Sequence, residues 1–104
     1  MSESEANSTG WRGTDEGTQL KSTYAWYDGG NGTDNFGFSA LPGGYRDSSN
    51  GSFGYAGTFG VWWSSSPIGG DVWYRDLYDY KLGISRYYGN PRIGFSVRCL
   101  RDAE

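Results

Sequence analysis

Four β-prone runs crowd the second half of the chain: "TFGVWWSSS" (58–66), "DVWYRDLYDY" (71–80), "LGISRYY" (82–88) and "RIGFSVRCLR" (92–101). They are parted only by "PIGG", "KLG" and "GNP", connections too short to carry a crossover helix. That spacing predicts an antiparallel meander of four strands. Within the second run, strand alternation sends Val72, Tyr74, Asp76, Tyr78 and Tyr80 to one side and Trp73, Arg75, Leu77 and Asp79 to the other. In the last run Ile93, Phe95, Val97 and Cys99 alternate with Gly94, Ser96, Arg98 and Leu100, as in a half-buried strand.

The rest of the chain is harder to fold on paper. Residues 1–22 are polar and Gly-punctuated, with Trp11 as the one large anchor, and form a segment apart from a domain spanning 23–102. "SESEAN" is suited to a single helical turn capped by Ser2, and little helix is expected elsewhere. "TYAWY" (23–27) reads as a strand leading into the turn "DGGNGTDN". The stretch 36–57 holds too much Gly, Ser and Asn for long strands and reads as an irregular loop pinned by Phe36, Phe38, Tyr45, Phe53 and Tyr55. With 104 residues, 18 of them Gly, and 18% aromatics, the chain is one small α+β domain, mostly β and loops, built on rings.

The charge balance, 9 basic against 12 acidic residues, leaves −3 with both signs scattered, which offers nucleic acid no surface. No apolar run reaches the roughly 20 residues that cross a bilayer, so direct membrane insertion is not expected, and "MSESEANSTG" lacks the features of a signal peptide.

There is no histidine, which removes histidine-based acid–base catalysis, histidine metal sites and Ser-His-Asp triads. Asp76 and Asp79 fall on opposite faces of one run and do not make a glycosidase pair. "SSS" (64–66) has no base to activate a nucleophile and reads as a hydrogen-bonded strand end. No enzyme is expected. Asp28, Asn31, Asp34 and Asn35 are oxygen donors that a calcium ion accepts, but without the EF-hand spacing or a closing Glu, and a plain turn is the simpler reading. No cofactor is otherwise implied. Cys99, the single cysteine, falls on the expected inward face as a small buried side chain.

Aromatics remain. Trp62, Trp63 and Trp73 fill a core short of aliphatics or stack on sugar rings, with the core favoured for at least two of them. Arg75, Arg86 and Arg98 cap rings or pair with Asp. The tyrosine face is different. Tyr mixed with Ser, Gly, Asn and Asp is the composition of recognition surfaces, because the phenol gives rigid amphipathic contact at low entropic cost. Tyr74, Asp76, Tyr78, Tyr80, Ser85, Tyr87, Tyr88 and Asn90 are accordingly the candidate ligand-binding residues.

"GFSALPGGYR" (37–46), "WWSSS" (62–66), "WYRDLY" (73–78) and "GFSVRCLRD" (94–102), with "GTQLKS" (17–22), together resemble the Fibrobacter succinogenes major paralogous domain. The resemblance implies a C-type-lectin-like fold of the formylglycine-generating-enzyme type, in secreted lipoproteins and surface proteins of Bacteroidetes and their relatives. It implies that a first half of the fold, with a cysteine able to pair with Cys99, lies outside this sequence. The oxidase branch needs two cysteines and is excluded by the one present. Some such domains are variable proteins of diversity-generating retroelements. In that pattern Trp73, Arg75, Leu77, Arg86, Gly94 and Phe95 match scaffold positions, while Tyr74, Asp76, Tyr78, Asp79, Tyr80, Ser85, Tyr87, Tyr88, Asn90 and Ile93 match diversifiable ones. The expected activity is binding of a protein or glycan on a cell or phage surface, and the expected location is extracellular or at the cell surface. A carbohydrate-binding module using Trp26, Trp63 or Trp73, and a purely structural surface module, are the alternatives.

Overall fold

In the structure, a computed structural model that describes residues 1–99, β-structure dominates and helix is confined to two short pieces. The order is α1 (Glu3–Ala6), β1 (Gly10–Arg12), α2 (Glu16–Leu20), β2 (Tyr45–Arg46), β3 (Phe53–Gly54), β4 (Phe59–Ile68), β5 (Asp71–Tyr78) and β6 (Ile84–Gly89). Strands β4, β5 and β6 form the expected meander, because consecutive β-prone runs joined by tight turns can only pair antiparallel with their neighbours.

The fourth member of that sheet is not the last run. It is β1, which pairs antiparallel with β6 and gives the order β1-β6-β5-β4. The polar segment 1–22 therefore contributes an edge strand to the sheet, and the described part of the last run, 92–99, forms no regular strand. Its Gly94 and Ser96 make only isolated bridges, to Arg46 and Trp62, on the side of β4 away from β5. The inward alternation expected there fails with it: Val97 is 74% exposed and Cys99 is an exposed free thiol. Leu100 and the end of the expected domain at 102 lie outside the described residues.

Two further expectations are corrected. "TYAWY" is bent rather than extended, with Ala25 at φ 79°, and it buries Trp26 while leaving Tyr24 and Tyr27 exposed. In the middle stretch, Phe38 packs against the core, and Tyr45 and Tyr55 stack toward Phe59 on the other face of the sheet, but Phe36 and Phe53 are exposed and pin nothing. The stretch instead carries the ribbon β2–β3. Gly44 introduces it at φ 69°, where a side chain would be strained and would collide with the Gly54 carbonyl.

The core lies on one face of the sheet. Trp26, Ala40 and Leu77 are buried there, with Leu20, Phe38, Trp62 and Ile84 packed against them. Trp26 donates Nε1–H to the Ala40 carbonyl at 3.0 Å, satisfying the one polar atom of its ring. Lys21, 2% exposed, closes the layer: Nζ donates to the Tyr78 and Lys81 carbonyls at 3.0 and 3.2 Å and sits 5.3 Å over the Trp26 ring. Burial lowers its pKa, opposed by the charge of Asp79.

Helix α2 reaches this layer only because Gly17 has no side chain; a Cβ there would collide with the Gly83 carbonyl. Helix α1 starts as expected, with Ser2 Oγ accepting the Glu5 amide at 3.1 Å. Arg75 and Arg86 tie its end to the same face of the sheet, donating to the Ala6 and Asn7 carbonyls, each at 2.6 Å.

Candidate functional site

The register decides which residues share the face opposite the core. Phe59, Val61 and Trp63 of β4 pair with Tyr78, Asp76 and Tyr74 of β5; Asp76 and Tyr74 pair in turn with Ser85 and Tyr87 of β6. Trp11 of β1 lies beside Ser85. Since partners in register share a face, Tyr74, Asp76, Tyr78, Ser85 and Tyr87 form one surface, as expected from sequence.

Three other candidates fall elsewhere. Tyr88 pairs in register with Trp73, its ring edge-on to that indole at 5.3 Å, but the ring also stacks on Tyr87 at 4.8 Å and so adjoins the surface at the strand edge. Tyr80 lies beyond the end of β5 in the turn, 68% exposed, with its ring 5.5 Å from Tyr78. Asn90 follows β6, and its Oδ1 accepts the Arg92 amide at 2.9 Å in a local turn.

The surface is not flat. The segments around Tyr45 and Ile93 rise beside β4 and leave a cleft of about 410 Å³. Its walls are the rings of Tyr45, Phe59, Tyr74, Tyr78 and Phe95 with the aliphatic Val61 and Ile93, and its two charged groups are Asp47 and Asp76. The rings support one another. Tyr45, Tyr55, Phe59 and Tyr78 stack in series at 5.4, 4.6 and 4.1 Å, and Trp11 meets Tyr78 edge-on at 4.7 Å. Tyr74 packs edge-on to Phe95 at 5.0 Å and to Trp63 at 6.2 Å. Tyr78 is thus a wall fixed by neighbours on several sides, Tyr74 is held against Trp63 and Phe95, and Tyr87 is exposed at the rim.

Asp76 lies at the floor. Expected on an outward face, it is in fact only 5% exposed, because the rings beside it rise above its short side chain. Its Oδ1 is shielded from solvent and has no hydrogen-bond partner among the described residues. Burial pushes its carboxyl pKa up, and the nearby hydroxyls of Ser85 and Tyr78 only partly counter this. The phenols respond to the same environment. Burial raises Tyr78 to about 12, helped by the charge of Asp76, and raises Tyr74 in the same direction. Both phenols are therefore neutral hydrogen-bonding groups at physiological pH. Asp47, at the other side, is already used: Oδ1 accepts the Ser49 amide at 2.7 Å and its hydroxyl at 2.5 Å, which lowers its pKa.

Of the scaffold residues named from the resemblance, Trp73, Arg75, Leu77 and Arg86 lie on the core side, whereas Phe95 lines the cleft and Gly94 bridges to Arg46. Leu77 is 2% exposed, and the Arg86 guanidinium lies 3.7 Å from the Trp73 ring centre. That contact also bears on sugar stacking. Trp26 is buried and offers no stacking face, whereas Trp73 has Arg86 over one face and Trp63 meets Phe95 at 4.4 Å.

Of the oxygen donors at 28–35, Asn31 and Asp34 are committed to the chain itself. Asn31 Oδ1 accepts the Trp26 amide at 2.9 Å, and Asp34 accepts the Ser39 amide and hydroxyl at 2.7 and 2.6 Å. "SSS" marks a bulge in β4 between Trp63 and Pro67, where the Ser66 amide donates to Ser64 Oγ at 2.9 Å.

Sequence reasoning missed the cleft walls Tyr45, Asp47, Phe59 and Val61. Phe59 and Val61 had a signal, since they alternate with Gly60 and Trp62 in the run it had identified. Tyr45 and Asp47 had none, because they arrive through bridges between segments far apart in sequence.

No curated protein and no solved structure matches the chain. A family model does, over residues 1–101, so the polar N-terminal segment and the strands of the cleft fall within one match. The chain belongs to the Fibrobacter succinogenes major domain family (Fib_succ_major).

Proposed function

We propose that this chain is a non-catalytic ligand-binding domain with a C-type-lectin-like fold, borne by a bacterial surface or secreted protein. The observation that carries the reading is the aromatic cleft on the sheet face away from the core, with Tyr74, Asp76 and Tyr78 in its lining and Tyr87 beside them. A domain this small has few large rings to spare for anything but its interior, yet five line an open cleft. The target is a protein or glycan on a cell or phage surface. The interleaving of tyrosines on one face with Trp73, Arg75, Leu77 and Arg86 on the other also supports diversification of the binding face without loss of fold. A neighbouring near-identical repeat with adenines at the Tyr and Asp codons, next to a reverse transcriptase gene, would test that part.

Binding itself is tested by selecting ligands from a random peptide library and a glycan array, then challenging them with the Tyr74→Ser, Tyr80→Ser, Tyr87→Ser triple variant. The expected result is that the variant no longer binds the selected ligands while it still melts cooperatively, at a temperature lowered by loss of the Tyr74 contacts with Trp63 and Phe95. A purely structural module is the second reading, favoured by the packing of Tyr78 between Phe59 and Trp11. It predicts that the triple variant unfolds, or that no ligand is selected through this face.

A further inference from the structure

We infer that the cleft takes a primary ammonium group on an apolar stem, of the kind a lysine side chain presents, with Asp76 as its counter-ion. The inference rests on the binding role just proposed for this face and names the chemistry it recognises.

A carboxylate taken out of water is expensive unless a cation or several donors compensate it. The two neighbouring aspartates of this strand and turn differ in just this respect. Asp79 also has a buried oxygen without a hydrogen bond, but it lies close enough to the buried Lys21 ammonium for their charges to interact. Asp76 has no such partner among the described residues. Only two hydroxyls, Ser85 and Tyr78, act on it, and no Lys or Arg is among the residues that line the cleft. The other charged lining group, Asp47, is negative as well. The floor therefore holds a carboxyl group with no cation beside it, walled by tyrosine and phenylalanine rings whose π-faces attract cations.

The hydrogen-bond pattern narrows the cation. One carboxylate oxygen, Oδ1, lacks a donor. A quaternary ammonium has no N–H to give it, and a guanidinium offers a planar two-pronged fork where the free acceptor is single. An alkylammonium supplies point donors that fit one oxygen, while its methylenes lie against Val61 and Ile93. Oδ1 is shielded from solvent, so binding requires the carboxylate to turn about its soft terminal torsion as the ammonium enters.

Titration of the isotope-labelled domain with butylammonium and with Nα-acetyl-lysine methylamide tests this, read by backbone and indole NMR shifts. Saturable shifts at Tyr74, Asp76, Trp63 and Trp11 are expected, with dissociation constants of about 1–10 mM for such small probes. Asp76→Asn, which keeps the shape and removes the charge, is expected to weaken binding about tenfold or more. The norleucine analogue and tetramethylammonium are expected to bind worse than butylammonium. Affinity is expected to fall as pH drops and Asp76 becomes protonated; the other titratable groups at the cleft are Asp47, Tyr45, Tyr74 and Tyr78.

Equal binding by the parent and Asp76→Asn, tetramethylammonium binding as well as butylammonium, or no saturable shift with either amine, each overturns the inference. If the amines fail while selected ligands are still lost in the tyrosine triple variant, the face binds something uncharged and only the charge assignment falls. If both fail, the binding role falls too.

Discussion

Replacing Asp76 by Asn should make this protein more stable, the reverse of what removing a charged side chain from the middle of a strand usually does. The carboxylate is 5% exposed, and one of its oxygens lacks a hydrogen-bond partner. A buried polar group left unpaired costs about 1–3 kcal/mol, and more when charged. Asparagine keeps the size, still meets the hydroxyls of Ser85 and Tyr78, and gives up the charge. Taking the lower end, because the amide is itself imperfectly paired, the gain at neutral pH is about 1 kcal/mol. In a domain of this length that raises the melting temperature by about 4–8 °C.

The pH dependence makes the test specific. Burial holds the folded carboxyl pKa above the usual 3.8, so the folded state binds more protons than the unfolded one from 3.8 up to the raised value. Parent stability therefore falls relative to Asp76→Asn as pH rises through that window. Below 3.8 both states of the parent are protonated and the two proteins should melt together; above the window the advantage of the variant is constant. Circular-dichroism melts from acid to neutral pH measure this directly, and the other carboxylates cancel in the difference. A variant that melts below the parent at neutral pH would show that the carboxylate is well paired in solution. An advantage that ignores pH would show that its ionisation carries no cost.

Leu77→Ala removes the most enclosed aliphatic of the core, beside Trp26 and Ala40, and should cost about 2–5 kcal/mol, read as a lowered urea midpoint. Arg75→Ala with Arg86→Ala removes the two 2.6 Å bonds to the Ala6 and Asn7 carbonyls. That pair of changes should destabilise by about 1–3 kcal/mol and open residues 1–9 to limited proteolysis while the meander stays protected. Cys99 should react with a thiol reagent in native buffer at the rate of an exposed peptide thiol; reaction only in denaturant would contradict its exposure.

The meander and the division of β5 into two faces were legible because they depend on chain neighbours alone. A two-residue period and a tight turn allow few pairings, so Tyr74, Asp76 and Tyr78 had to share a side, with Trp73, Arg75 and Leu77 opposite. Ser2 as a cap was legible for the same reason, since the bond it accepts is three residues away. Helix α2 was not, because "EGTQL" has weak local propensity and its glycine is required by Gly83, far along the chain. Nor was the buried Lys21, whose position depends on carbonyls 57 and 60 residues distant.

The last run shows how far a local pattern reaches. "RIGFSVRC" has the alternation of a strand, but the edge of the sheet next to β6 is taken by β1, which leaves the run only single bridges on the far side of β4. Alternation specifies a face and has no means of specifying a neighbour. The same limit governs the site. By itself the sequence determined that tyrosines and an aspartate stand together on one face and that histidine chemistry is absent. Tertiary structure decided that this face is a cleft and that Asp76 is its floor rather than an outward contact. The depth of that cleft comes from Tyr45 and Ile93, brought beside β4 by long-range pairing, and burial is a property of what surrounds a residue, which no short stretch of chain contains.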